Sequence, residues 1–372
     1  MLPEYFLLIP PTVDQRFSSL QRKSRLLLLR LFLQDSFSDC TPEFRKSIIR
    51  FQRFLTTMTR KNGQDILHAL GQIDVSTNIR SAILRLRPPQ KLLSYAIPKF
   101  LTLLPKTQEH FVWNHPLPIE MGSAQRMVYN GNMTEVQHHD GTITSFVYEP
   151  PHIFSNAIEF SLFDSNPLAQ EEAHPEKEGN SIDLGGHDTK EWYNTIEKAF
   201  GYIKIALPTW YNTLPQILQR IVPVGFDEQK HLSASYQNAL GLAYMTLHPD
   251  AFKIAEAIIH ESQHNKLNTL LWLDPIAKNG ESEWTTSPIR PDLRPIKGVL
   301  LAVHAFLPVA ALYLKHKKDH PFLEKRLESV IKSNERALET LNQKMQATKL
   351  GEKLLFHMNH LHKAIKESNA HS

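Results

Sequence analysis

The heptapeptide Ile258-Ile259-His260-Glu261-Ser262-Gln263-His264 constrains this chain more than any other stretch. Histidines at i and i+4 of a helix project from one face, one turn apart. Both imidazoles can then reach one metal ion, with the intervening Glu261 close to the metal's open side. The flanks are apolar: Ala255, Ala257, Ile258 and Ile259 precede the motif, and Leu267, Leu270, Leu271 and Leu273 follow. The motif is therefore expected in a mostly buried helix, where two imidazoles and a carboxylate need partners. The plainer alternative is a core helix with hydrogen-bonded histidines.

Composition narrows the setting. With 372 residues, 41% hydrophobic and 22% charged, the chain is globular in type and has room for one large domain or two ordinary ones. The single cysteine, Cys40, rules out an intrachain disulfide and any multi-cysteine zinc site. Its first residues lack a basic leader region, and the apolar run 26–33 holds Arg30 and is too short to span a bilayer. A cytoplasmic protein with no membrane partner is expected. Residues 1–100 carry 16 Lys and Arg against 7 Asp and Glu, whereas the whole chain is only +4. Such a basic region either dresses amphipathic helices or attracts an acidic peptide. Nothing resembles a zinc finger, an aromatic RNA-binding pattern or a glycine phosphate loop, so no nucleic-acid partner is expected. Oligomeric state leaves no signature.

The expected fold class is α+β, predominantly α-helical, with a small antiparallel sheet. Helices are expected over 17–37, 42–59, 63–73 and 77–86, with Thr41-Pro42-Glu43 as a helix start and Pro88-Pro89 and Pro98 as breaks. Residues 125–137 and 142–149 flank His139-Asp140-Gly141 and read as a hairpin. Residues 153–163 read as a further strand, 164–188 as a long polar surface loop suited to cover a site, and 191–205 as a helix. Strands at 216–226 and 239–246 then lead into the motif helix, which starts near Pro249-Asp250. A strand feeding an HExxH helix is the zincin-like order, an analogy of fold only. A loop from 274 to 295, an apolar helix over 296–317 and two last helices at 321–350 and 352–367 complete the chain. The expected division is a helical, peptide-binding region over 1–110 and a metal-binding catalytic region over 111–372.

Two histidines on a helix need at least one more protein ligand. The HExxHxxGxxH solution is closed, because Leu267 and Leu270 stand at the glycine and third-histidine positions. Glu281 and Glu283 fall in a loop, and the apolar helix after it has no carboxylate. That helix does contain His304, in Val303-His304-Ala305-Phe306, forty residues beyond His264. His304 is either the third metal ligand or a buried histidine supporting the site. Between the two helices, Ser287-Pro288-Ile289-Arg290-Pro291-Asp292-Leu293-Arg294-Pro295 holds two arginines in a proline-stiffened segment. Arginine forks bind carboxylates bidentately, so either could hold a dicarboxylate cosubstrate or a peptide carboxylate. A surface loop paired with Asp292 or Glu283 is the alternative. Gln263 and Lys266 lie off the metal-facing line and read as structural. His138-His139-Asp140 has an HxD spacing but falls on the expected hairpin turn, so no metal role is expected. His357, His360 and His362 lie beside lysines on an amphipathic helix and are expected to be solvated.

The stretch HESQHNKLNTLLWLDP, with SPIRPDLRPIKGVLLAVHAFLPVAALY after it, resembles the HExxH-motif peptide-modifying proteins of ribosomal peptide natural-product pathways. Members of that family are described as 2-oxoglutarate-dependent peptide β-hydroxylases. The resemblance spans residues 241–313; Ser262, where an aromatic is expected, departs from it, and the N-terminal third carries no comparable motif. It implies Fe(II) held by His260, His264 and a third protein ligand, with room for 2-oxoglutarate and O2. Arg290 or Arg294 would anchor the far carboxylate of 2-oxoglutarate, which leaves as succinate and CO2 while a peptide side chain is hydroxylated at its β-carbon. Glu261 would be a ligand or an acid beside the ligands. The competing expectations are a zinc (Zn2+) metallopeptidase with Glu261 as general base, and a non-enzymatic helical protein that binds a peptide with an acidic leader.

Overall fold

The computed structural model describes residues 15–104, 111–113, 126–129, 134–137, 143–145, 152–162, 164, 166–171, 173–174, 177–286 and 292–371. The chain is mostly helical, with a small mixed sheet and a small antiparallel sheet, and its contacts divide it into two compact units.

One unit comprises Arg22–Pro151 and Phe163–Ser181. It takes most of α1 (Gln15–Gln34), then α2 (Pro42–Ala69), α3 (Ile73–Ile83) and α4 (Pro89–Thr102). Thr41 caps α2 by accepting a hydrogen bond from the Phe44 amide, and Pro42 takes the first helical position, where no amide hydrogen is needed. The two helices expected over 42–59 and 63–73 meet at a kink within α2: the backbone leaves the helical region at Asn62 (φ −134°, ψ 48°), just before Gly63, and the second helix ends at Ala69. Pro98 sits inside α4 instead of ending it, since a proline removes only one helical hydrogen bond and the rest of the helix is held by burial of Leu93, Ile97 and Leu101.

The strands β1 (Phe111–Trp113), β2 (Arg126–Tyr129), β3 (Thr134–Gln137) and β4 (Ile143–Ser145) pair antiparallel in chain order. The pairing of Gln137 with Ile143 agrees with the expected hairpin; its turn, with His138-His139-Asp140, lies outside the described residues. The single strand expected over 125–137 is two, paired through Tyr129 and Thr134. Phe111 and Trp113 share one face of β1 and are buried with Phe44, Phe51, Phe54 and Phe100. The boundary expected at residue 110 therefore falls inside this unit.

The other unit comprises Met1–Gln21, His152–Leu162 and Ile182–Ser372. The chain gives it β5 (His152–Ile153) and β6 (Glu159–Phe160), then contributes β7 (Ala173–His174) and β8 (Lys177–Glu178) to the first. The expected loop 164–188 thus includes a two-stranded ladder, and Asp183 bridges to Val224. Next come α5 (Thr189–Ala206), capped by Asp188, and α6 (Pro208–Ile217). After them follow β9 (Arg220–Phe226), β10 (Ser233–Ala234), β11 (Leu242–Leu247) and α7 (Ala251–Leu271). Strand order is β10-β11-β9-β6-β5, with β11 and β6 parallel to β9 and β10 antiparallel at one edge.

The hairpin of β12 (Trp284–Thr286) and β13 (Leu293–Pro295) leads into α8 (Ile296–His316). Then come α9 (Phe322–Lys344) and α10 (Lys349–Ala370). Among the described residues α8 is the one helix long and apolar enough to cross a membrane, yet most of it is buried, packed by α5, α7, α9 and α10. The C-terminal histidines correct an expectation. His360 is exposed, but His357 and His362 are buried, because they fall on the inner stripe of α10 with Leu354, Met358, Leu361 and Ile365. Burial holds the His362 imidazole below its ordinary pKa.

Candidate metal and catalytic site

The site is built on α7. Asp250 ends the preceding segment and accepts a hydrogen bond from the Phe252 amide (2.9 Å), so three residues separate β11 from the helix. Both faces of β11 are buried, and α7 buries sixteen of its residues, including Glu261, Ser262, Gln263, Asn265, Lys266 and Asn268. So many buried polar groups on one helix require partners from several elements.

His260 and His264 bring their rings to 4.3 Å between centroids at 82°. His260 also packs against Phe306 of α8, at 4.8 Å. Burial pushes His264 down to about 3, and the neighbouring His260 adds to the effect. The imidazole is therefore neutral at ordinary pH, the form that binds a metal. Its Nδ1 is buried and has no hydrogen-bond partner among the described residues.

Glu261 is 2% exposed. Ser233 Oγ donates to its Oε1 (2.7 Å) and Ser235 Oγ to its Oε2 (2.6 Å). Ser233 opens β10 and Ser235 directly follows it, so the edge strand and the residue after it supply the two donors. Two amides flank His264. Asn265 accepts from the Gly241 amide (2.6 Å) and donates to the Leu242 carbonyl (3.0 Å), tying α7 to the start of β11. Gln263 accepts from Trp210 Nε1 of α6 (3.3 Å) and donates to the His304 carbonyl of α8 (3.2 Å). Gln263 thus faces other elements, as its place off the metal line implies. Ser233, Ser235 and Trp210 carry no signal in the sequence, since each matters through a partner at least 26 residues away, and the cross-sheet bonds of Asn265 span at least 23.

One turn before His260, Glu256 accepts a hydrogen bond from the Tyr313 hydroxyl of α8. Burial raises the pKa of both groups. His304 is fully buried in α8 and meets α7 through its carbonyl. Among the described residues, no group of three or more His, Cys, Asp and Glu side chains is gathered to hold a metal. The donor pair brought together is His260 and His264. Arg294, on β13, directs its Nε to Asp292 Oδ2 at 2.9 Å near the surface. Arg290 lies outside the described residues.

The donor set suits a divalent metal at two positions: imidazoles a turn apart, that of His264 neutral and with an orphaned buried nitrogen, and a fixed carboxylate beside them. No family model matches the chain, and no match is found among curated proteins.

Proposed function

We propose that the chain is a cytoplasmic, metal-dependent oxidoreductase that hydroxylates a side-chain β-carbon of a ribosomally made peptide, with Fe(II), 2-oxoglutarate and O2, in natural-product biosynthesis. One observation carries the metal reading: two imidazoles 4.3 Å apart on one face of a buried helix, with His264 neutral. The order β11 then α7, with an antiparallel edge strand beside them, supports a zincin-like arrangement by analogy of fold.

Iron with its 2-oxo acid, when bound, would supply the oxidising chemistry for a C–H bond. His260 and His264 would hold the metal, with His304 the candidate third ligand. Glu261 is held by two hydroxyls, one on β10 and one just after it, which favours a carboxylate that orients its neighbours over one that shuttles a proton. That weighs for the oxygenase and against the peptidase. An arginine fork suits the far carboxylate of 2-oxoglutarate, and Arg290 and Arg294 are the candidates.

The deciding experiment incubates the full chain with Fe(II), 2-oxoglutarate, O2 and a panel of acidic-leader peptides encoded near the gene. The expected result is succinate formation coupled to one added oxygen on an intact peptide. Backbone cleavage under anaerobic conditions with zinc would replace this reading with the peptidase.

A further inference from the structure

Pro308 lies inside α8. Proline has no amide hydrogen, so the carbonyl four residues earlier, that of His304, receives no i+4 donor from its own helix. The Gln263 side chain of α7 donates to that carbonyl at 3.2 Å. Both residues are fully buried. The other end of the same amide accepts from Trp210 Nε1 at 3.3 Å. Gln263 immediately precedes His264, and the α7–α8 contact continues to His260 against Phe306 and Glu256 against Tyr313. The helices therefore run antiparallel, and the amide sits level with the histidine pair.

We propose that Gln263 is a positioning residue: its amide replaces the backbone donor that Pro308 deletes, and this bond sets the rotation of α7 against α8 that aims His260 and His264. The amide planes of side chain and backbone make the bond directional, so it opposes rotation of α7 about its axis, which apolar contacts alone tolerate. A poorly satisfied carbonyl in the core is costly, and the Gln263 donation offsets the amide hydrogen that Pro308 lacks. The stability part stands on geometry alone. The aiming part rests on the metal reading above.

The test is a double-mutant cycle on the full chain, by urea denaturation and Co(II) titration followed by absorption. Gln263→Ala should lower the folding equilibrium constant by roughly 5–150-fold, the range for an orphaned buried polar group. Pro308→Ala restores an amide hydrogen to α8, so the penalty of Gln263→Ala in that background should shrink by roughly 3-fold or more. Gln263→Met keeps the side-chain volume and serves if the alanine variant does not fold. Co(II) affinity and the visible spectrum should change in Gln263→Met and stay changed when Pro308→Ala is added, because the bond between α7 and α8 is still missing. Equal penalties in both backgrounds would overturn the pairing. An unchanged Co(II) spectrum in Gln263→Met would overturn the aiming role. A wild-type chain that binds no Co(II) would defeat the metal reading and the aiming role together, with the stability cycle still deciding the pairing.

Discussion

Ser235 Oγ lies 2.6 Å from Glu261 Oε2, and the bond fixes the carboxylate of the HExxH helix to the end of the edge strand β10. With Ser233 of β10 on the other oxygen, the carboxylate is gripped by two hydroxyls two residues apart. Hydrogen bonds to charged acceptors are among the strong ones. Ser235→Ala should destabilise the fold by about 1–3 kcal/mol, and the double Ser233→Ala/Ser235→Ala variant by more than either alone. A urea titration reads this as a lower midpoint at unchanged slope. Wild-type midpoints in the double variant would mean that water replaces both hydroxyls at no cost.

His231, just before β10, makes stability depend on pH. Burial, with His248 adding, pushes its imidazole down to about 3, while the unfolded chain titrates near 6.5. The folded value is the lower one, so on acidification the unfolded chain takes up the proton first. This contribution is fully retained above about pH 6.5 and is lost progressively between there and about pH 3. His231→Phe should flatten the fall in urea midpoint between about pH 7 and about pH 4. A slope equal to wild type would show that the imidazole is solvated in the native state.

Much of the scaffold is readable in the chain, and the reasons are local. Pro249-Asp250 announces α7, because an aspartate cap and a preceding proline act within one turn. The start of α8 at Ile296 is readable from Pro295 for the same reason. α6 is not: Pro208 at its first position is a start signal, but Pro215 near its end argues against a helix, and burial of Trp210 and Leu214 overrides it. The imidazole pair follows from i, i+4 spacing alone. Its supports do not, since Ser233, Trp210 and Gly241 reach α7 across the sheet or from another helix, and no pattern along the chain encodes that meeting. His357 and His362 mislead because lysine neighbours suggest solvent, whereas the stripe they occupy is wider than an a/d seam.

Gly351 marks a close approach between the start of α10 and the turn after α7. A Cβ there would stand 2.1 Å from the Ile276 carbonyl oxygen. Ile276 itself has φ +62°, and its carbonyl accepts from the Thr348 amide, so this backbone has little freedom to retreat. Gly351→Ala should destabilise by about 1–3 kcal/mol, the range for overpacking. A thermal melt suffices as the check, and an unchanged midpoint would show that α10 shifts freely.

The histidine pair yields the last prediction. Two imidazoles a turn apart can share one ion only if each lone pair is free, and burial keeps His264 unprotonated well below neutrality. His260→Ala and His264→Ala should therefore each abolish tight binding of Zn(II) or Co(II). His264→Ala also removes a buried ring nitrogen that has no partner among the described residues, so metal-free stability should suffer less than burial alone suggests. His304→Ala should weaken binding by ~10–100-fold if it ligates or supports the ion. Calorimetry with each metal, paired with urea melts of the metal-free proteins, separates lost ligands from lost fold. Full occupancy in the His260→Ala/His264→Ala double variant would remove α7 as the metal helix, and unchanged affinity in His304→Ala would remove α8 from the site.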